Sequence, residues 1–236
     1  IISASTEDDA IAWYENNGAV NPTWTAEDIT TNADHAVSVF AADMDNDGDM
    51  DIVSASVFDN TIAWYENDGA ANPSWTAADI LTTAIDVVSV FAADMDNDGD
   101  MDIISSSVTN NAIDWYENDG ASNPSWTLAD VSSSADNAYS VFAADMDNDG
   151  DMDIVSASNV NGKISWHEND GTADPSWTAS NIVTNINGPK SVFAADMDND
   201  GDMDIISSSV TNNAIAWYEN NGAANPSFTA ADISTS

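Results

Sequence analysis

The sequence has no cysteine. That excludes disulfides, thiolate metal sites and cysteine nucleophiles. Basic residues are nearly absent too. Lys163 and Lys190 stand against 42 acidic residues, leaving a net charge of −40 over 236 residues. Such a surface repels polyanions, which argues against nucleic acid and anionic membrane surfaces as partners. No apolar run reaches the length of a membrane span, so direct membrane insertion is not expected, and no signal peptide is recognisable. Asn-x-Ser/Thr acceptors are missing as well, because Asn21, Asn72, Asn123 and Asn225 are each followed by proline.

Histidine is scarce. His35 and His167 do not recur, and neither has a plausible Ser or Asp partner at a repeated position. With no catalytic constellation, an enzyme is not expected.

What is present is repetition, and it sets the fold. A 51-residue period runs through Trp13, Trp64, Trp115, Trp166 and Trp217, and through Pro22, Pro73, Pro124, Pro175 and Pro226. One unit reads as four short strands: Ser38–Ala42, Ile52–Ser56, Thr61–Glu66, and a segment from Ser74 towards Ile80. They are rich in β-branched, aromatic and small residues and are bounded by Gly, Asn, Asp and Pro. Ile62 and Trp64 share one face, Ala63 and Tyr65 the other, so both faces should be covered. Stacked four-stranded sheets do this, and a sheet with one wet face does not. The expectation is an all-β, β-propeller-like array of four-stranded antiparallel blades, in about five units.

Ile1 aligns with Ile52, so the first unit (1–37) lacks a first strand and its following loop. Full units span 38–88, 89–139 and 140–190, and the last spans 191–236. The chain therefore reads as a mature product or a segment of something longer.

Between the first two strands lies Asp-Met-Asp-Asn-Asp-Gly-Asp-Met-Asp, repeated four times unchanged. Carboxylates about 5 Å apart repel by roughly 3 kcal/mol at an effective dielectric near 20. A hard cation with oxygen ligands relieves this, and Ca²⁺ fits best. The candidate ligands are Asp43, Asp45, Asp47, Asp49 and Asp51; Asp94, Asp96, Asp98, Asp100 and Asp102; Asp145, Asp147, Asp149, Asp151 and Asp153; and Asp196, Asp198, Asp200, Asp202 and Asp204. Positions 1, 3, 5 and 9 would use side chains. Position 7, Asp49 in the first copy, would use its carbonyl and turn its carboxylate to solvent. Gly48 permits the sharp turn. The loop is not an EF-hand, since Ser54 stands where Glu would be required.

The run from Val39 through the loop to Ala55 resembles FG-GAP/VCBS-type repeats, which build the calcium-binding propeller of integrin α subunits and of many bacterial surface proteins. Ile62–Gly69 is similar to the strand and turn that follow in bacterial members. The resemblance implies about four Ca²⁺, one per acidic loop, and secretion or surface display. The function expected is a non-enzymatic, extracellular or cell-surface, calcium-stabilised structural or adhesive repeat protein. Its partners would be copies of itself, other extracellular proteins or glycans, with end-to-end assembly through the partial unit. The alternative is a carbohydrate-binding, lectin-like module of a larger secreted protein. Repeated aromatics more often fill a core than form a sugar platform. The departures of the fourth unit (Gly162, Lys163, His167, Gly188, Lys190) read as neutral variation.

Overall fold

The computed structural model describes residues 1–211 and 213–235, and these form strands, turns and bends without a helix. The first sheet has three strands in the order β1 (Ile2–Ser5), β2 (Ala10–Asn16), β3 (Trp24–Thr30). Four sheets of four antiparallel strands follow, each in sequence order. They are β4 (Ala36–Ala42) to β7 (Trp75–Leu81), with β5 (Asp51–Ser56) and β6 (Thr61–Asn67) between; β8 (Val87–Ala93), β9 (Asp102–Ser107), β10 (Ala112–Asn118) and β11 (Trp126–Ser132); β12 (Ala138–Ala144), β13 (Asp153–Ser158), β14 (Lys163–Asn169) and β15 (Trp177–Thr184); and β16 (Pro189–Ala195), β17 (Asp204–Ser209), β18 (Ala214–Asn220) and β19 (Phe228–Thr235).

Successive sheets pack face to face. β1 lies against β4, β4 against β8, β8 against β12, and β12 against β16. Alternation along a strand then sends neighbouring side chains into different cores. Ile62 and Trp64 enter the core shared with the next sheet, while Ala63 and Tyr65 enter the core shared with the preceding one. Phe40, Phe91, Phe142 and Phe193 form a ladder along the first strands, with ring centroids 4.3, 4.6 and 4.7 Å apart. Beside it, the backbone N–H of Val90, Val141 and Val192 donates to Ser38, Ser89 and Ser140 Oγ of the sheet before.

The repeated antiparallel sheets are therefore present, but among the described residues the row is open and closes no propeller ring. The outward face of the last sheet shows this. Ile215 is 43% exposed, whereas Ile62, Ile113 and Ile164 at the same position are fully buried.

The methionine at loop position 2 belongs to the core. Met44, Met95 and Met146 are buried against the next sheet, whereas Met197, in the last described sheet's loop, is 44% exposed. The two extra glycines of the fourth unit also find a backbone reason. Gly162 and Gly188 have φ of 64° and 70°, and the equivalent Asn60, Asn111, His35, Asp86 and Asn137 are left-handed as well. Glycine enters that region without the steric cost of a Cβ.

Candidate metal centre

Each acidic loop leaves the first strand of a four-stranded sheet and re-enters at the second. Asn46 (φ 60°) and Gly48 (φ 96°) turn the chain back on itself. The carboxylate of Asp43 then accepts the N–H groups of Asp47 and Gly48 at 3.1 and 3.0 Å, and Asp47 Oδ1 accepts the N–H of Asp49 at 2.9 Å. Loops three and four repeat all three bonds, and loop two repeats those of Gly99 and Asp100.

This folding gathers carboxylate oxygens. In four groups, one per loop, oxygens lie within 4.8 Å of one another: Asp43, Asp45 and Asp51; Asp94, Asp96 and Asp98; Asp145, Asp147 and Asp153; Asp196, Asp198 and Asp200. A cation with 2.3–2.6 Å bonds to oxygen spans about 4.6–5.2 Å between opposed ligands, so the spacing suits Ca²⁺. Asp94 Oδ1 is buried without a hydrogen-bond partner, as a ligand atom awaiting a cation would be. The carboxyls of Asp45, Asp96, Asp147 and Asp198 are pushed up from their ordinary value, by burial first, with neighbouring carboxylates adding to it.

Residues 1–54, 51–105, 106–156 and 145–207 match the FG-GAP-like repeat. The chain belongs to this family. No curated protein matches it. Among solved structures it is similar to the V. cholerae biofilm matrix protein Bap1, with 17% identity and a TM-score of 0.52. The match covers 98% of this chain and 38% of the Bap1 chain, and at that identity the likeness concerns the fold alone.

Within this FG-GAP-like loop the five aspartates have different surroundings. Positions 1 and 3 join the oxygen cluster in all four copies; position 5 does so in the second and fourth, and position 9 in the first and third. Position 9 is also a structural hub. Asp51 is fully buried and accepts the N–H of Met44 at 3.1 Å and of Asn67 at 2.8 Å, which ties the loop to the end of β6. Asp102, Asp153 and Asp204 make the same two bonds. Burial pushes the Asp51 carboxyl up to about 6, and those of Asp102 and Asp153 to about 7. The carboxylate retains acceptor capacity beyond its two hydrogen bonds.

At position 7 the carboxylate does not simply turn to solvent. The carboxylates of Asp49, Asp100, Asp151 and Asp202 lie over Gly69, Gly120, Gly171 and Gly222 of the hairpin turn, so closely that a Cβ there would sit 2.0–2.1 Å from an oxygen. Three of them also bridge sheets. Asp100, Asp151 and Asp202 Oδ1 accept from the side-chain amides of Asn46, Asn97 and Asn148 in the preceding loop. A second set of bridges runs from Asn118, Asn169 and Asn220 Nδ2 to the carbonyls of Met44, Met95 and Met146, at 2.7–2.8 Å. None of these asparagines stood out in the sequence as more than turn residues. Their only signal was strict recurrence.

The aromatic segment is core: Trp64 and Tyr65 are buried. His167 does have a serine partner. Its Nε2 lies 3.0 Å from Ser156 Oγ, where Ser105 and Ser207 meet the hydroxyls of Tyr116 and Tyr218. Its Nδ1 has no partner, so no carboxylate orients the ring as in a catalytic triad.

Proposed function

We propose that the chain is a calcium-stabilised structural repeat array of an extracellular matrix or surface, without catalytic activity. One observation carries this reading: four identical loops each bring three carboxylates together at a spacing suited to a divalent cation. Bap1, whose fold is similar, is a biofilm matrix protein, and an extracellular, calcium-containing medium suits a chain of charge −40. About four Ca²⁺ would bind, through positions 1, 3, 5 and 9. At ten times Kd each would contribute about 1.4 kcal/mol.

The bare face of the last sheet adds an adhesive element. Phe193, Met197 and Ile215 are 51, 44 and 43% exposed on and beside the last described sheet, an apolar face that a further repeat or a second copy of the chain would cover by stacking on it.

The test is equilibrium dialysis and thermal melting with Ca²⁺ and with EDTA. About four bound ions per chain and a melting midpoint lowered by EDTA are expected. An identical midpoint in both would overturn the calcium reading. Sedimentation in Ca²⁺ checks the association, and a concentration-independent monomer would overturn it.

A further inference from the structure

In a chain of nearly identical units, the positions where one unit departs carry information. The fourth unit departs at four positions that converge in space. Lys163 replaces Ala10, Thr61, Ala112 and Ala214; Ser165 replaces Ala12, Ala63, Asp114 and Ala216; His167 replaces tyrosine in every other unit; Asn181 replaces Asp28, Asp79, Asp130 and Asp232. All four line one cleft of about 140 Å³ between the end of β11 and the β13–β15 face. Lys190, the other lysine, lies instead over the ring of Tyr139.

The walls of this cleft are polar and free of carboxylate. Ser132, Ser134, Ser165, Asn161 and Asn181 supply hydroxyls and amides, and Lys163 the only charge. The equivalent cleft over β5–β7 holds Asp59 and Asp79, and that over β17–β19 holds Asp232. Two side chains within it are unsatisfied. His167 is 2% exposed, with Nδ1 unpartnered, and Asn161 Oδ1 is buried without a partner. A buried polar atom left unpaired is destabilising. The other units avoid the imidazole by using tyrosine, and in three of them its hydroxyl meets the serine. Burial holds the His167 ring neutral, so it adds no charge beneath the cleft.

We propose that this cleft binds a single carboxylated sugar unit, of the uronic-acid class. Its hydroxyls meet Ser134, Ser165 and Asn181, and its carboxylate meets Lys163, with His167 and Asn161 lying beneath the cleft floor. The concerted change explains the preference for an acidic sugar: aspartate becomes asparagine and a small residue becomes lysine within one cleft, which a neutral sugar would not require. At physiological salt the Debye length is about 8 Å, so the acidic surface beyond the cleft is largely screened. This inference is independent of the calcium reading.

The test is ligand-observed NMR titration of the whole chain in Ca²⁺ with galacturonate, galactose and acetate. Three variants restore the residue used by other units, and so remain compatible with the fold: Lys163→Ala, His167→Tyr and Asn181→Asp. Galacturonate is expected to bind about tenfold more tightly than galactose or acetate, a difference of about 1.4 kcal/mol. Lys163→Ala should reduce it to the level of galactose, and Asn181→Asp and His167→Tyr should each weaken it several-fold. Absence of galacturonate binding, equal binding of galactose or acetate, or indifference to all three variants would overturn the proposal.

Discussion

The side-chain amide of Asn97 donates to Asp151 Oδ1 across 2.6 Å, joining the acidic loop of one sheet to that of the next. The loop is therefore a joint between sheets as well as a candidate ion site. The amide leaves one loop at position 4 and reaches position 7 of the following loop, 54 residues later. Asn97→Ala should cost about 1 kcal/mol, as for one hydrogen bond to a charged group near the surface. Asn97→Asp should cost more, because it sets two carboxylates together. Urea midpoints at fixed Ca²⁺ check both, and unchanged midpoints would count against the bridge.

The carboxylate that receives this type of bridge needs a glycine beneath it. A Cβ on Gly120 would sit 2.0 Å from Asp100 Oδ2, and its φ is +68°. Gly120→Ala should destabilise the fold by about 1–3 kcal/mol through backbone strain and the displaced carboxylate. Gly18→Ala, at an equivalent turn with nothing within 4 Å, meets only the strain and should cost less. Thermal melting of the two variants side by side tests the difference.

Met95 and Met197 occupy the same loop position but differ in burial, at 0 and 44% exposed. Met95→Ala should cost about 2–4 kcal/mol, through lost burial and the cavity left behind. Met197→Ala should stay within about 1 kcal/mol. Equal effects would mean that a further element covers Met197.

Asp114 lies mid-strand in β10, opposite Asp130, where the other units have alanine or serine. Burial, and then the charge of Asp130, push its carboxyl up to about 6. The folded state thus takes up a proton more readily than the unfolded one, so the charged form is unfavourable at neutral pH and the penalty fades as pH falls through about 6 towards 4. Asp114→Ala should stabilise the chain by about 1–2 kcal/mol at pH 7, after allowing for solvent screening of a partly exposed group, and by little at pH 4.5. Chemical denaturation of both proteins at the two pH values reads the difference.

His167 has the opposite sign. Burial lowers it from 6.5 to about 4, so the folded state holds the ring neutral while the unfolded chain protonates. That contribution is fully present above pH 6.5 and is lost as pH falls towards 4, on the order of 2–3 kcal/mol. The His167→Tyr variant should lose less stability than the parent between pH 7 and 5. Parallel losses would show that the ring is protonated within the fold.

The clustering of carboxylates in the loop and the strand order were legible in the sequence because both are local. Five aspartates around a glycine dictate a tight turn that gathers carboxylates, and Val, Ile and aromatic runs between turn residues dictate strands. Two-sided burial was legible for the same reason, since Ile62, Ala63, Trp64 and Tyr65 are apolar on both faces. Which aspartate does what was decided by tertiary structure. Asp49 and Asp51 are two residues apart and chemically alike, yet Asp51 is buried beneath two backbone N–H donors and Asp49 rests on Gly69. Neither environment exists until β6 returns beside β5. Likewise Met44 became core, and Asn46 became a bridge, only because another sheet stacks 51 residues further along. Lys163, Ser165, His167 and Asn181 read as scattered variation in one dimension; pairing of β13, β14 and β15 makes them a single wall.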